Sequence, residues 1–379
     1  MATNVYGNGA NSTAGANTVV HYYDRAGVKA ANRVNVFGQW ADRKSMPTKM
    51  GKTFKTSRFE HMYDRSVADA DFAAKGFMTA RTADEVSAAL TAAGLAEGAG
   101  AVNKRSLKKV TYETSVARYG EMIDYTDEVD IFSEDYIQVK YREELGELAN
   151  SRMEDLIQLD MLSTGTVIYS GDATSMATIG ATDDVDYKVS YDLIRKATRT
   201  LVRNRAKKNT TVVTGSTKID TKTIAQAYYA IIGADVKADL EVALDSVGAI
   251  AWVPVHKYGA AATIAEGEVG AMHEVRFIEA ESMVTYAGEG AAVVAGVNDT
   301  LANDGTNVNV YPILFPTEGA FATVGLKGHE KIKFNSKSPE SVENANPYGT
   351  TGFFSYNFFY AGIILKEEAL LKMLVAASI

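Results

Sequence analysis

Residues 104–163 read KRSLKKVTYETSVARYGEMIDYTDEVDIFSEDYIQVKYREELGELANSRMEDLIQLDMLS, three patterns in succession without a gap. Val110, Tyr112, Thr114 and Val116 fall at period two, which predicts one face of a β-strand. An acidic segment from Asp124 to Asp130 follows and reads as a turn. Ser133 then stands where it can cap a helix, with Glu134 and Asp135 in the first turn, favoured by the positive end of the helix dipole. Ile137, Tyr141, Leu145, Leu148, Leu156 and Leu159 recur at three, four or their multiples, with no proline and only Gly146 against propensity. The spacing predicts a helix of about 30 residues ending at Ser163, roughly 45 Å long at 1.5 Å per residue. Such a length suits a spine along a flat subunit or a coiled coil, and Arg152 at the seam with one short run of heptads favours the spine.

Working outward, the partner of the period-two strand is expected far upstream, at Thr53–Met62, which follows Met46-Pro47 and Gly51. The Ala-rich stretch Asp64 to Gly100 between them reads as an elaborated tip, with a short helix Ala83–Ala93 capped by Thr82 and with Glu85 three residues on. The residues before Trp40 read as an extended arm, with one short helix within Tyr22–Trp40. Beyond the long helix we expect a strand Thr166–Ser170, a polar loop Asp172–Asp186 and an amphipathic helix Ser190–Ala206. That helix carries Leu193, Ile194, Ala197, Leu201 and Val202 on one side and Arg195, Lys196, Arg199 and Arg203 elsewhere, continuing into Arg205, Lys207 and Lys208. Its basic face suits DNA, an acidic neighbour or plain solvent. A strand Thr210–Thr214, helices Thr221–Ile232 and Val236–Leu244, a strand Ala249–Val255 and a turn Gly267–Gly270 leading to a strand Glu274–Ile278 follow. Ala287–Asn307 reads as a loop or small insertion, and Val308–Phe315, Thr323–Leu326, Lys331–Asn335 and Phe353–Leu365 make a strand-rich finish. The organisation is α+β.

Composition narrows the function. At 379 residues, 46% hydrophobic and 23% charged, the chain can bury a sizeable core, and its apolar runs fall well short of the roughly 20 residues of a membrane helix. Met1 to Asn17 has neither a basic start nor an apolar run, so a secretory signal is not expected. With no cysteine there is no disulfide framework and no thiolate site. The net charge of −8 argues against a dedicated nucleic-acid reader. It hides an asymmetry: Asp24 to Arg58 holds nine basic side chains against Asp24 and Asp42. Neighbouring copies of such a chain attract through opposite ends, unless the segment is simply solvated.

Catalytic patterns are thin. His21, His61, His256, His273 and His329 are scattered, no G-x-S-x-G elbow or Walker A loop occurs, and Gly7–Ser12 and Gly288–Val293 each lack the third glycine of a dinucleotide fingerprint. Asp124, Asp127, Glu128, Asp130, Glu134 and Asp135 do not have EF-hand spacing, and an acidic contact with basic residues of a neighbour is the better reading. We expect no catalytic site, no metal and no cofactor.

Motif order then supports a family resemblance. Pro47-x3-Gly51-Lys-Thr-Phe-Lys, Gly94-Leu-Ala-Glu97-Gly98, Thr111-Tyr-Glu-Thr, Tyr119-Gly120, Thr126-Asp-Glu-Val-Asp-Ile131 and the long helix, continued by Gly267-Glu-Val-Gly270, Pro347-x-Gly349 and Phe353–Leu365 with Lys366-Glu-Glu-Ala-Leu, resemble the major capsid proteins of tailed phages of the coliphage N-four type. The likeness runs from about Phe37 to the C-terminus; residues 1–36 and 287–307 match nothing assigned.

The resemblance implies the Hong Kong 97-like capsid fold: an N-terminal arm (1–47), an E-loop with an elaborated tip (48–130), a peripheral domain (131–215) with a spine helix (133–163), an axial domain (216–310) and C-terminal strands returning through the peripheral domain (311–379). It implies a structural subunit, not an enzyme, that forms hexamers and pentamers of an icosahedral shell around double-stranded DNA, in the virion and assembled in the bacterial cytoplasm. Decoration or scaffolding proteins and a portal are the further partners such shells take; no membrane is involved. Combined with the charge split, it makes Lys49, Lys52, Lys55 and Arg58 candidates to meet Asp124, Asp127, Glu128 and Asp130 of an adjacent copy. An encapsulin-like compartment of the same fold is the alternative, and a surface-layer or adhesin protein, which would need an export signal, is the reading from another class.

Overall fold

The computed structural model describes residues 36–59, 109–132, 137–182, 186–213, 221–258, 264–329, 331–342 and 346–379, with scattered positions between Ala83 and Glu97. The arm before Val36, residues 60–62, Thr82, most of the tip and Ser133, Glu134 and Asp135 lie outside them; Ala83, Asp84, Ser87, Leu90 and Thr91 are helical.

The period-two residues form β3 (Lys109–Ser115), which pairs antiparallel with β2 (Thr53–Phe59), Thr53 opposite Ser115 and Phe59 opposite Lys109. In this register Phe54, Thr56 and Arg58 share a half-buried face with Val110, Tyr112 and Thr114. Phe54 and Tyr112 rest on a small cluster of Met46, Val116, Ala322, Val324, Ala361 and Ile363. Among the described residues this two-stranded sheet joins no other strand.

The chain does not turn at the acidic segment. It runs through β4 (Ala117–Thr126), and Asp127–Phe132 forms a short helix, α1. The reason is the long strand β14 (Thr351–Ile364), which holds β4 extended from Ala117, opposite Tyr360, to Thr126, opposite Thr351. Along β14, Phe354, Tyr356, Phe358 and Tyr360 are buried while Phe353, Ser355, Asn357 and Phe359 are only half-buried, as a strand's alternation requires. Also on β14 are β13 (Lys333–Lys337) and β12 (Phe321–Leu326), with β1 (Asp42–Met46) parallel to β12, completing a five-stranded sheet.

The long helix, α2, spans 26 residues, Ile137–Leu162. Its C-terminal half is enclosed on several sides: Ala149, Ile157, Met161 and Leu162 are buried, and so are Glu154 and Gln158. The Glu154 carboxylate accepts from the backbone N–H groups of Phe37 (2.7 Å) and Gly38 (3.1 Å). The Gln158 amide, oriented to satisfy both of its neighbours, donates to Ser282 O and accepts from Val284 N. Asp160 accepts from Tyr360 Oη at 2.7 Å, and Lys372 Nζ caps the helix by donating to Leu162 O at 2.8 Å. The expected single stripe is therefore mis-phased: Leu159 is 56% exposed, because the helix serves several neighbours and has no single core face.

The main core surrounds an eight-stranded sheet in the order β5 (Val167–Tyr169), β15 (Leu371–Val375), β11 (Tyr311–Phe315), β7 (Thr221–Ile232), β10 (Val275–Glu279), β9 (Glu268–Met272) and β8 (Val253–Pro254), with β6 (Asn209–Val213) on β7. Thr221–Ile232 is thus a strand, not the expected helix. Tyr228 to Ile232 are all buried, and a segment covered on both faces shows no alternation, so its pattern does not distinguish strand from buried helix. Helix α3 (Tyr191–Arg203) follows its N-cap Ser190, and α4 (Ala234–Val242) follows Gly233. Val202, expected inside, is exposed. Only Gly267 (φ 79°) of Gly267–Gly270 turns; Glu268–Met272 is strand, and the reversal into β10 comes at His273 (φ 56°). Of Ala249–Val255, only Val253–Pro254 is strand, since Leu244 bridges Ile250 in a turn around Asp245.

Burial raises the Glu154 carboxyl above its ordinary range, partly offset by the N–H groups of Phe37, Gly38 and Val36. The native state therefore binds this proton at higher pH than the unfolded chain. The group's contribution to stability falls as pH rises from the ordinary carboxylate range through the raised native value. We expect Glu154→Ala to cost about 1–3 kcal/mol in urea unfolding by leaving buried donors unpaired, and to remove this component of the pH dependence.

Candidate intersubunit surface

Pro47 follows β1, and the loop to β2 is shaped by two left-handed residues, Lys49 (φ 67°) and Gly51 (φ 84°). A lysine in this conformation is strained, and its side chain is exposed. Lys52 is exposed too, its carbonyl accepting from Val116 N at 2.9 Å and closing the hairpin's base.

The other two basic candidates have partners inside the subunit. Lys55 lies directly opposite Glu113 and pairs with it at 2.8 Å, both side chains over 60% exposed (64% and 62%), so the bond contributes little. Arg58 reaches from the hairpin's inner face to Glu368, Nη2 to Oε1 at 2.7 Å, beside the Tyr112 ring, whose hydroxyl burial pushes up. The Glu368 side chain is only 6% exposed. Arg58 Nε and Glu368 Oε2 are buried without hydrogen-bond partners, so each charge depends heavily on the other.

The acidic candidates sit on the five-stranded sheet and its helix. Asp124 is exposed at the end of β4, while the neighbouring Tyr125 is buried and stacked on Phe354 at 5.3 Å. Asp127 N donates to Thr350 O, and its Oδ1 accepts from Glu128 N at 2.9 Å, opening α1 where negative charge is favoured. Glu128 is exposed; the Asp130 side chain lies outside the described residues. Among the described residues no ion pair within the chain joins the basic candidates to the acidic ones.

Sequence reasoning missed Glu113, Glu368 and Glu154. Glu113 is recoverable once the β2–β3 register is known. Glu368 stands next to Glu367 in a short polar break between apolar strands, a weak signal of a buried charge. Glu154 looks like any exposed helix carboxylate, and nothing in its spacing marks it. Among the described residues no group of three or more His, Cys, Asp or Glu side chains could hold a metal, and no helix is long and apolar enough to cross a membrane.

The fold is similar to the capsid of Ralstonia phage GP4, with a TM-score of 0.61 at 12% identity over 98% of this chain and 99% of that one. It is also similar to the capsid of cyanophage Pam1, with a TM-score of 0.56 at 10% identity over 97% of this chain and 98% of that one. These likenesses define a phage capsid fold. No protein-family model matches the chain. The major capsid protein of Pseudomonas phage KPP21 is 30% identical over 382 residues, covering 96% of this chain and 94% of that protein. The chain belongs to this family of phage major capsid proteins, components of the virion shell.

The Arg58–Glu368 pair ties the hairpin to the body where Arg58 Nε and Glu368 Oε2 are buried without hydrogen-bond partners. Glu368→Gln is expected to speed amide hydrogen exchange across Thr53–Phe59 and Lys109–Ser115 several-fold in unassembled subunits, with exchange in β7 unchanged.

Proposed function

We propose that the chain is a tailed-phage capsid subunit with the Hong Kong 97-like organisation, assembling as hexamers and pentamers into an icosahedral shell around a double-stranded DNA genome in the cytoplasm of the bacterial host. The observation that carries this reading is the 30% identity to a phage major capsid protein across nearly the whole of both chains. The domain reading follows the same pattern: arm 1–47, E-loop 48–130, peripheral domain 131–215 with the spine helix, axial domain 216–310 and returning strands 311–379. It is supported by the separate two-stranded β2–β3 sheet, since such a hairpin is marginal in water until something covers it. Decoration or scaffolding proteins and a portal belong to the same reading. The cellular-compartment alternative is not favoured, because the relatives found are phage proteins.

Within the shell, Lys49 and Lys52 meet Asp124, Asp127, Glu128 and Asp130 of an adjacent copy. Lys55 and Arg58 join them from the hairpin, with Glu113 and Glu368 taking part of their charge. One exposed pair contributes only about 0.2–1 kcal/mol, but repetition in every subunit multiplies it.

Purified particles are expected to sediment with nuclease-protected double-stranded DNA; a protein cargo in its place would favour the compartment. Lys49→Glu with Lys52→Glu should lower particle yield several-fold and change its salt dependence, and Asp124→Lys with Glu128→Lys should recover part of it. Unchanged yield and unchanged salt sensitivity would rule out this contact.

A further inference from the structure

Helix α3 carries a cationic stripe that the intersubunit reading leaves unused. Leu193, Ile194, Ala197, Thr198 and Leu201 are buried, so the helix cannot roll, and Lys196, Arg199 and Arg203 are held outward. Residues 190–208 contain seven basic side chains and one acid, Asp192. Two acids are already engaged with cations of this segment, Asp192 with Arg195 at 3.1 Å and Glu274 with Lys208 at 2.9 Å. Lys196, Arg199 and Lys207 are exposed and have no ion pair among the described residues.

The end of the helix is a second, independent observation. Ala206 N bonds Leu201 O at 2.9 Å and Arg205 N bonds Val202 O at 3.0 Å, the paired bonds of a Schellman ending. The position just past the cap is left-handed (φ 52°), where glycine is favoured, yet it holds Arg205. This ending fixes the backbone that leaves α3 and carries the exposed Lys207. Lys366 Nζ donates to the Asn204 and Arg205 carbonyls (3.2 and 3.1 Å) and fixes this end.

The chemistry favours a polyanion over a protein face. The centres of protein interfaces are enriched in aromatic side chains and depleted of lysine. Val202 is the one large apolar side chain α3 exposes among these cations. Phosphate contacts need only positioned cations. We propose that Lys196, Arg199 and Lys207 form the surface on which the subunit meets the phosphate backbone of double-stranded DNA, without reading its sequence. This rests on the shell reading and assigns the face of the subunit that meets the genome.

The test is binding of unassembled subunits to a random-sequence DNA duplex across a salt series, comparing the parent with K196Q/R199Q/K207Q and with K257Q/K331Q/K333Q, a control with the same change in net charge. The stripe variant should bind more weakly and shallow the slope of log K against log salt by ~2.7, since each phosphate that a cation no longer neutralises takes about 0.9 from it. The control should match the parent. An unchanged slope, an equal loss in the control, or no salt-dependent binding by the parent overturns the proposal. So does lost shell assembly with an unchanged slope, which would make the stripe a contact for an acidic face of a second copy. Electron microscopy of the same preparations reports shell formation separately, so intact shells with an unchanged DNA slope overturn this inference alone.

Discussion

The C-terminal half of α2 is the constraint on which the other elements depend. In the space of nine residues, Glu154 to Leu162, it takes hydrogen bonds from Phe37 and Gly38 at the entry to the described chain, from Tyr360 on β14 and from Lys372 on β15, and Gln158 adds the loop at Ser282 and Val284. Each of these is a buried or half-buried polar contact, and losing one partner would strand the other away from water. The two sheets are thereby referred to one helix. Asp160 leaves no room at Gly362, where any side chain would collide with its carboxylate. Its own carboxyl is raised by burial and partly restored by Tyr360 and Gly362, so this contact also fixes the register between helix and sheet.

Everything tied to α2 is rigid by this argument, and the hairpin is tied differently. Among the described residues β2 and β3 pair only with each other, lean on a small satellite cluster, and are tied to the body by the ion pair of Arg58 with Glu368. Their outer face, with Lys55, Glu113, Ser57 and Phe59, is exposed. A subunit that builds a shell by covering its neighbours needs this division: a body that keeps its shape and an extension whose free face is completed elsewhere. The charge distribution fits the same plan, with the exposed Lys49 and Lys52 before the hairpin and exposed carboxylates at the end of β4.

Much of this is legible in the residues. The alternation through Val116, the return pairing to Thr53, Ser190–Ala206 and the strand at Phe353–Leu365 follow from local periodicity, because each has one better-buried face, and the long helix follows from its spacing and its lack of proline. The failures share one cause. The end of β7, Tyr228 to Ile232, is buried throughout, so its pattern does not identify its type, and α2 is contacted on several sides, so its spacing gives a helix without giving its inner face. The acidic segment reads as a turn because the strand that straightens it, β14, lies more than two hundred residues away. Of the candidate contacts, the exposed Lys49, Lys52, Asp124 and Glu128 stand where their polarity suggests. The intrachain partners of Lys55 and Arg58 need the register and the fold.

The central claim is that the subunit completes its hairpin by contact with another copy of itself in a closed shell. Cryo-electron microscopy of purified particles at side-chain resolution tests it most directly. The account predicts closed shells of uniform diameter in which the outer face of β2 and β3 lies on a neighbouring subunit. Absence of closed shells, or shells in which that face touches only its own subunit or solvent, would contradict it.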